Sequence, residues 1–115
     1  MIEMIKNSAI SFHIKVDIHG IKQMLSYIEE NDNNGKGHLQ LIYLGKNRRF
    51  EIELNYQEDR IIITEDTIKI CMDDEEIDYL KQRLEEALIS KSFYPSEICE
   101  RNYKNRSITL YCDVM

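Results

Sequence analysis

Histidine and cysteine side chains, which can bind metal ions or act as nucleophiles, are few in this sequence. They are His13, His19, His38, Cys71, Cys99 and Cys112. None of them forms a C-x-x-C or H-x-x-x-H pair, the local spacings that usually initiate a zinc site. Cys71 and Cys112 fall in apolar strand patterns, where a thiol usually packs as a small hydrophobic side chain. We therefore predict no metal ion, no cofactor and no reactive cysteine.

Other common catalytic patterns are also missing. The four glycines form neither G-x-x-x-x-G-K-[ST] nor G-x-G-x-x-G, so no phosphate-binding loop is indicated. Glu51 and Glu53 share one strand face with Arg49, but no neighbouring apolar segment would desolvate these carboxylates, as acid–base catalysis needs. We predict that the chain is not an enzyme. A small enzyme with a site assembled around His13, His19 or a cysteine is kept as an alternative.

Two clusters of basic residues stand out in a chain whose net charge is −6, from 15 Lys and Arg against 21 Asp and Glu. They are Lys46, Arg48 and Arg49, and, around Tyr103, Arg101, Lys104 and Arg106. Arginine interleaved with tyrosine can stack on the bases of a single strand. The net negative charge, however, repels nucleic acids and anionic membranes at long range. A nucleic-acid-associated protein that uses these clusters is therefore an alternative function that the charge disfavours.

A long amphipathic helix is the clearest element of the sequence and carries its most suggestive surface. Asp73 and Glu76 have the spacing of a capping box, and apolar residues then recur at helical spacing to about Lys91. The expected buried stripe is Ile77, Leu80, Leu84 and Leu88. The outward face presents Glu75, Asp78, Tyr79, Gln82 and Glu86. A tyrosine among carboxylates is typical of a surface that binds a basic protein, so we predict that this face contacts a partner.

The rest of the sequence reads mainly as strands. Alternating or continuous apolar residues predict strands over 10–18, 38–44, 50–56, 61–64, 67–71 and 108–114. Helical spacing from Ile21 to Ile28, with Asp17 as a cap, predicts a first helix that ends in an Asn- and Gly-rich loop at 31–35. Pro95 favours a short additional helix over 95–102.

The order of these elements predicts an α+β fold. We expect a two-layer sandwich with a mainly antiparallel sheet of about five to six strands and two main helices on one face, in the order β-α-β-β-β-β-α-β. Residues 1–8 are expected to be a short N-terminal extension and residues 9–115 a single α+β domain. No internal repeat is recognisable in the sequence.

The composition favours a cytoplasmic protein. No apolar run approaches the ~20 residues that cross a bilayer, and residues 1–6 lack the apolar core of a secretory signal. An odd number of cysteines without C-x-x-C spacing is typical of a reducing compartment. We expect no contact with membranes.

These exclusions and the acidic helix face together predict a protein-binding function. We expect a small non-catalytic module, and more specifically a bacterial immunity or inhibitor protein that neutralises a basic, toxin-like partner. A homo-oligomer is left open, because the strand at 38–44 is apolar on both faces and its second face needs a cover.

Overall fold

Four hairpins and two helices make up the described part of the chain, which in the computed structural model is residues 1–32 and 39–115. The elements are β1 (Ile2–Ser8), β2 (Ser11–Val16), α1 (Ile18–Asp32), β3 (Leu39–Tyr43), β4 (Lys46–Leu54), β5 (Ile61–Ile63), β6 (Thr67–Met72), α2 (Asp74–Ser90), β7 (Glu97–Tyr103) and β8 (Arg106–Val114). The expected loop at 31–35 begins inside α1, and its remainder, like the expected start of β3 at His38, lies outside the described residues.

All eight strands belong to one sheet, in the order β5-β6-β4-β3-β1-β2-β8-β7. The pairs β1–β2, β3–β4, β5–β6 and β7–β8 are antiparallel hairpins, whereas β1–β3, β2–β8 and β4–β6 are parallel pairs. The two outer strands approach each other through a parallel bridge between Arg60 and Asn102, whose backbone N–H donates to Asp59 O at 2.7 Å. The sheet is therefore a nearly closed barrel, and the expected two-layer sandwich of five to six strands is wrong.

Two strands occupy segments where the sequence predicts something else. Residues 1–8, expected to be an extension, contain β1, which pairs with both β2 and β3 in the middle of the sheet. Residues 95–102, expected to be a helix, contain most of β7, which pairs along its length with β8. The helical signal of Pro95 is local, whereas pairing with β8 buries Ile98, Cys99 and Arg101. Tertiary pairing outweighs propensity here.

The chain consists of two halves with the same topology, although no repeat is recognisable in the sequence. Each half is a hairpin, a helix and a second hairpin. In one junction between the halves, Phe12 of β2 is paired with Leu110 of β8, and in the other, Ile68 of β6 is paired with Phe50 of β4. The residues paired in one junction are therefore at positions equivalent to those paired in the other. Each hairpin is therefore completed by a strand from the opposite half.

The same equivalence relates the contacts at the ends of the strands. Met115 N–H donates to Val16 O at 2.7 Å, and Asn55 N–H donates to Met72 O at 2.9 Å. The register of Glu3 against Ile42 in β1–β3 recurs as the single bridge between Arg60 and Asn102. The barrel thus has approximate twofold symmetry, and its incomplete closure is confined to the shorter pair, β5 and β7.

The topology gives the barrel two different ends. The turns of all hairpins lie at one end, which we call the hairpin end, because β1, β3, β5 and β7 run in the same direction. Two of these turns are equivalent, with positive φ angles at Leu44 (53°), Gly45 (74°), Lys104 (50°) and Asn105 (62°). Positive φ at both central residues is the geometry of a type I′ turn, which matches the twist of a hairpin. Both helices connect strands at the opposite end, which we call the helix end.

Equivalent aspartates begin the two helices. Asp17 Oδ1 accepts a hydrogen bond from Gly20 N–H at 2.7 Å, and Asp73 Oδ1 accepts one from Glu76 N–H at 2.8 Å. Glu76 Oε1 in turn accepts the Asp73 N–H at 3.0 Å, which confirms the predicted capping box. A Cβ at Gly20 would clash with the Met1 carbonyl oxygen, so the first half has no room for the glutamate that the second half uses.

Two equivalent backbone N–H groups at the helix end have partners outside the named strands. The Ile52 N–H of β4 donates to the Tyr27 hydroxyl of α1 at 3.1 Å. The equivalent N–H in the second half, that of Cys112, donates to Ser96 O at 2.8 Å. Buried N–H groups need such partners because leaving one unpaired in the core costs about 1–3 kcal/mol.

A single buried ion pair distinguishes the second half from the first. Arg101, which is 6% exposed, pairs with Glu76 and donates from Nε to Cys71 O at 2.7 Å. The equivalent positions in the first half are Leu41 and Gly20. An arginine and a glutamate therefore occupy places that an apolar side chain and a bare backbone occupy in the first half.

We expect Arg101→Leu to lower the free energy of unfolding by about 3 kcal/mol, because the change leaves the Glu76 carboxylate and the Cys71 carbonyl without their buried donor. Adding Glu76→Ala should recover part of the loss, since the first half tolerates leucine when no carboxylate faces it. Urea unfolding followed by circular dichroism measures both changes. Arg106→Leu, at an exposed position in the same hairpin, is the control and should change stability by less than about 0.5 kcal/mol. Equal stability of Arg101→Leu and wild type would contradict the account.

Candidate functional site

The candidate site is the solvent-facing side of α2, which the buried side of the helix holds in place. Leu80, Leu84 and Ala87 are buried in the core, and Ile77 and Leu88 pack against it. The capping box fixes the start of the helix. At its end Lys91, in the left-handed conformation, donates its N–H to Ala87 O at 2.8 Å. The outward face is therefore presented by a helix that is fixed at both ends.

Between the side chains of the outward face lies a shallow depression that is open to solvent, which we call the groove. Its lining is Glu75, Asp78, Tyr79, Lys81, Gln82 and Glu85. Of the residues predicted from the sequence, Glu86 alone is absent from this lining. Lys81 and Glu85 were not predicted, although their positions on the helix place them at the edge of the same face.

Tyr79 is half-buried rather than fully exposed as the sequence predicts. The Arg83 guanidinium lies over its ring, 5.1 Å from the centroid. Arg83 Nη1 also donates to Glu86 Oε2 at 3.0 Å and to Tyr94 O at 2.6 Å. Arg83 therefore covers one face of the tyrosine, neutralises Glu86 and ties α2 to the loop before β7.

The groove itself is negatively charged. Glu75, Asp78 and Glu85 make no ion pair with any residue in the described part of the chain, and Lys81 is the cation in the groove lining. The positive end of the helix dipole stabilises Glu75, which lies in the first turn. Three unpaired carboxylates on a fixed helix face present a preformed surface to a cation, and we find no geometry there that would carry out a reaction.

The three cysteine thiols are buried, and burial affects their ionisation. Cys71, Cys99 and Cys112 are free and buried. Burial raises the pKa of Cys99 to about 12 and raises the pKa of Cys112 further. Burial also raises the pKa of Cys71, whose thiol lies 3.4 Å from Glu53 Oε2 as a hydrogen-bond donor. Each thiol therefore stays protonated at neutral pH.

One histidine has a partner that resembles part of a catalytic arrangement. His13 Nδ1 lies 2.8 Å from Asp113 Oδ2, and the His13 ring stacks on Tyr111 with centroids 4.7 Å apart. At the β4–β6 junction, the equivalent positions hold Lys69 and Glu53, an ion pair at 3.9 Å on the outer face of the sheet. The His13–Asp113 contact is thus one of two equivalent cross-strand pairs, which favours a structural role. His19, the other histidine of the alternative enzyme site, lies exposed on α1 and takes no part in this contact.

No metal site is formed within residues 1–32 and 39–115, where no group of three or more His, Cys, Asp or Glu side chains converges. Neither described helix is long and apolar enough to cross a membrane.

The two basic clusters are partly neutralised by ion pairs. Lys46 pairs with Glu65 at 3.3 Å, and Arg49 pairs with Glu51 at 3.1 Å. Arg101 is buried against Glu76, as described above. The remaining cations of the clusters, Arg48, Lys104 and Arg106, lie at the hairpin end of the barrel. Of the two clusters, these three cations have no carboxylate partner in the part of the chain that the structure describes.

Comparison of the chain with protein-family models, with curated proteins and with solved structures gives no significant match.

Because burial keeps the thiols protonated in the folded protein, stability should fall as the pH rises above the pKa of an unfolded cysteine, about 8.5. Between that value and its pKa in the folded protein, each buried thiol lowers the free energy of unfolding by up to about 1.4 kcal/mol per pH unit. The reason is that only the unfolded chain loses the proton in this range. Urea unfolding at pH 7 to 11 measures the slope, and Cys99→Ala should remove one share of it. A Cys99→Ala variant with the wild-type slope would show that the thiol ionises in the folded protein.

Proposed function

We propose that this chain is a small non-catalytic protein-binding module that neutralises a basic protein partner through the acidic face of α2, as an immunity or inhibitor protein does. The observation that carries the proposal is the groove on α2, where Glu75, Asp78 and Glu85 lie together without an ion pair among the described residues. Unpaired carboxylates on one face repel each other, so this face attracts a cation that approaches from outside.

The support for binding rather than catalysis comes from rigidity. α2 is capped at both ends and anchored by Leu80 and Leu84. Arg83 holds it to the loop before β7. A surface that is already ordered loses little conformational entropy on association, and such preorganisation raises affinity without new contacts. The described residues provide no competing reactive centre. The thiols have raised pKa values, and the His13–Asp113 contact has a structural counterpart at the other junction.

The charge of the groove suggests how neutralisation would work. A nucleic-acid-cleaving partner would hold phosphates with lysine and arginine residues. The carboxylates of α2 would pair with these residues in place of the phosphates. Opposite fields also speed the encounter, by tenfold or more at low salt. The half-buried Tyr79 would supply apolar contact area at the centre of the interface, with Arg83 fixing its ring in place. The buried free thiols favour a reducing compartment, and we propose the cytoplasm as the site of action.

The test is capture of partners from a lysate of the source organism with tagged wild type and with a variant in which Glu75, Asp78 and Glu85 are each changed to Lys. We expect wild type to retain one basic protein in stoichiometric amount and the variant to lose it, because the charge change reverses the attraction. Mass spectrometry identifies the retained protein. Circular dichroism verifies that the variant is folded.

The matched control is Glu29→Lys with Glu30→Lys, which reverses exposed carboxylates near the end of α1. It alters net charge in the same direction without touching the groove, and it should retain the partner. Loss of the partner from both variants would indicate attraction by net charge alone. Retention by both, or no basic protein on the wild type, would contradict the proposed face.

A further inference from the structure

The hairpin end of the barrel contains a cluster that the proposed function does not use. Phe12 lies between two tyrosines at equivalent positions, Tyr43 and Tyr103, with ring centroids 6.1 Å and 5.7 Å away and edge-to-face geometry. The Arg48 guanidinium lies over the Tyr43 ring at 5.0 Å, and the Lys104 ammonium over the Tyr103 ring at 5.3 Å. Two cations and two phenol groups are thus held around one aromatic core.

Comparison of the two halves shows that the fold does not need a charge in this cluster. Arg48 faces the same side of β4 as the buried Phe50, and its equivalent in the second half is Ile108, which is buried. Lys6 of β1 likewise corresponds to Ile63 of β5. At the hairpin end, therefore, the first half carries cations at positions that the second half fills with isoleucine.

Arg48 is held in place but not neutralised. Its Nη1 donates to Thr64 O at 2.9 Å, whereas its Nε is buried and has no acceptor among the described residues. Neither Arg48 nor Lys104 pairs with a carboxylate of residues 1–32 or 39–115, although nearby Lys46 pairs with both Glu65 and Asp66. A guanidinium and an ammonium that have no carboxylate partner are suited to binding an anion from outside the chain.

The phenol groups add donors to the same place. Burial and the proximity of Tyr103 raise the pKa of Tyr43, although Arg48 and Lys104 act in the opposite direction. The Tyr43 hydroxyl therefore stays protonated and can donate a hydrogen bond at any physiological pH. The guanidinium, the ammonium and the phenol O–H groups can all donate hydrogen bonds, and no carboxylate among the described residues pairs with the two cations. Such a group of donors is suited to an oxyanion.

We propose that the hairpin end of the barrel binds a phosphate group between Arg48, Lys104 and the hydroxyls of Tyr43 and Tyr103. The positions of the cations disfavour base stacking, because Arg48 and Lys104 already cover ring faces on which a base would lie. Recognition is therefore of the phosphate, whether it belongs to a small molecule or to a nucleic-acid backbone. This site is separate from the α2 groove and does not depend on the function proposed for that groove.

The test is titration of the full chain with inorganic phosphate, AMP and a short oligothymidylate, followed by two-dimensional NMR of the backbone amides. We expect saturable shifts around the turns at 44–45 and 104–105. Arg48→Ile copies the residue at the equivalent position and should weaken binding at least about tenfold, the loss expected for one charge-assisted hydrogen bond. Arg49→Ile, one residue away on the outer face, is the matched control and should change affinity by less than about twofold.

Tyr43→Phe provides a second variant that keeps the ring packing, and it should weaken binding severalfold through loss of the hydroxyl. Binding of phosphate and AMP with similar affinity assigns the site to small phosphate compounds, and binding of the oligonucleotide alone assigns it to a nucleic-acid backbone. Absence of a saturable shift with all of these probes would overturn the proposal. So would equal loss of binding in Arg48→Ile and Arg49→Ile, since that result would reflect charge alone.

Discussion

Reciprocal pairing between the two halves of the chain is the constraint on which the rest of the structure depends. Neither half closes a core by itself: β2 needs β8, and β6 needs β4, in the same register. The β2–β8 junction joins strands near the two ends of the sequence, and both junctions must form for the barrel to bury its inner face. The closure at β5 and β7 is the weakest part of the sheet, a single bridge at Arg60.

This pairing separates two surfaces of opposite character. All hairpin turns lie at one end and both helices connect strands at the other, so the acidic groove of α2 and the cation–tyrosine cluster around Arg48 belong to different regions of the barrel. Each surface also departs from the approximate symmetry. α1 carries no acidic residue in its first turn, whereas α2 carries Asp74, Glu75 and Glu76. Both surfaces thus include positions where the two halves differ in charge.

The sequence predicted local features well and long-range ones poorly. The capping box at Asp73 and the alternation in β2 and β8 depend on neighbouring residues and were confirmed. β1 was missed because only Ile2 and Met4 of that strand are buried, too short a pattern to recognise. The duplication was missed because equivalent core positions hold different apolar residues, such as Phe12 and Ile68. Arg83 was not predicted to cover Tyr79, since the contacts that hold its guanidinium include the distant Tyr94 carbonyl.

The central proposal is that cationic groups of a partner bind preferentially at the α2 groove. NMR titration of the chain with a short oligolysine peptide tests it directly, because the peptide supplies the ammonium groups that any basic partner would present. The account predicts amide shifts concentrated between residues 75 and 85, weakening as salt is added. Shifts of equal size at other exposed carboxylates, such as Glu29 and Glu58, or no saturable shift on α2, would contradict it.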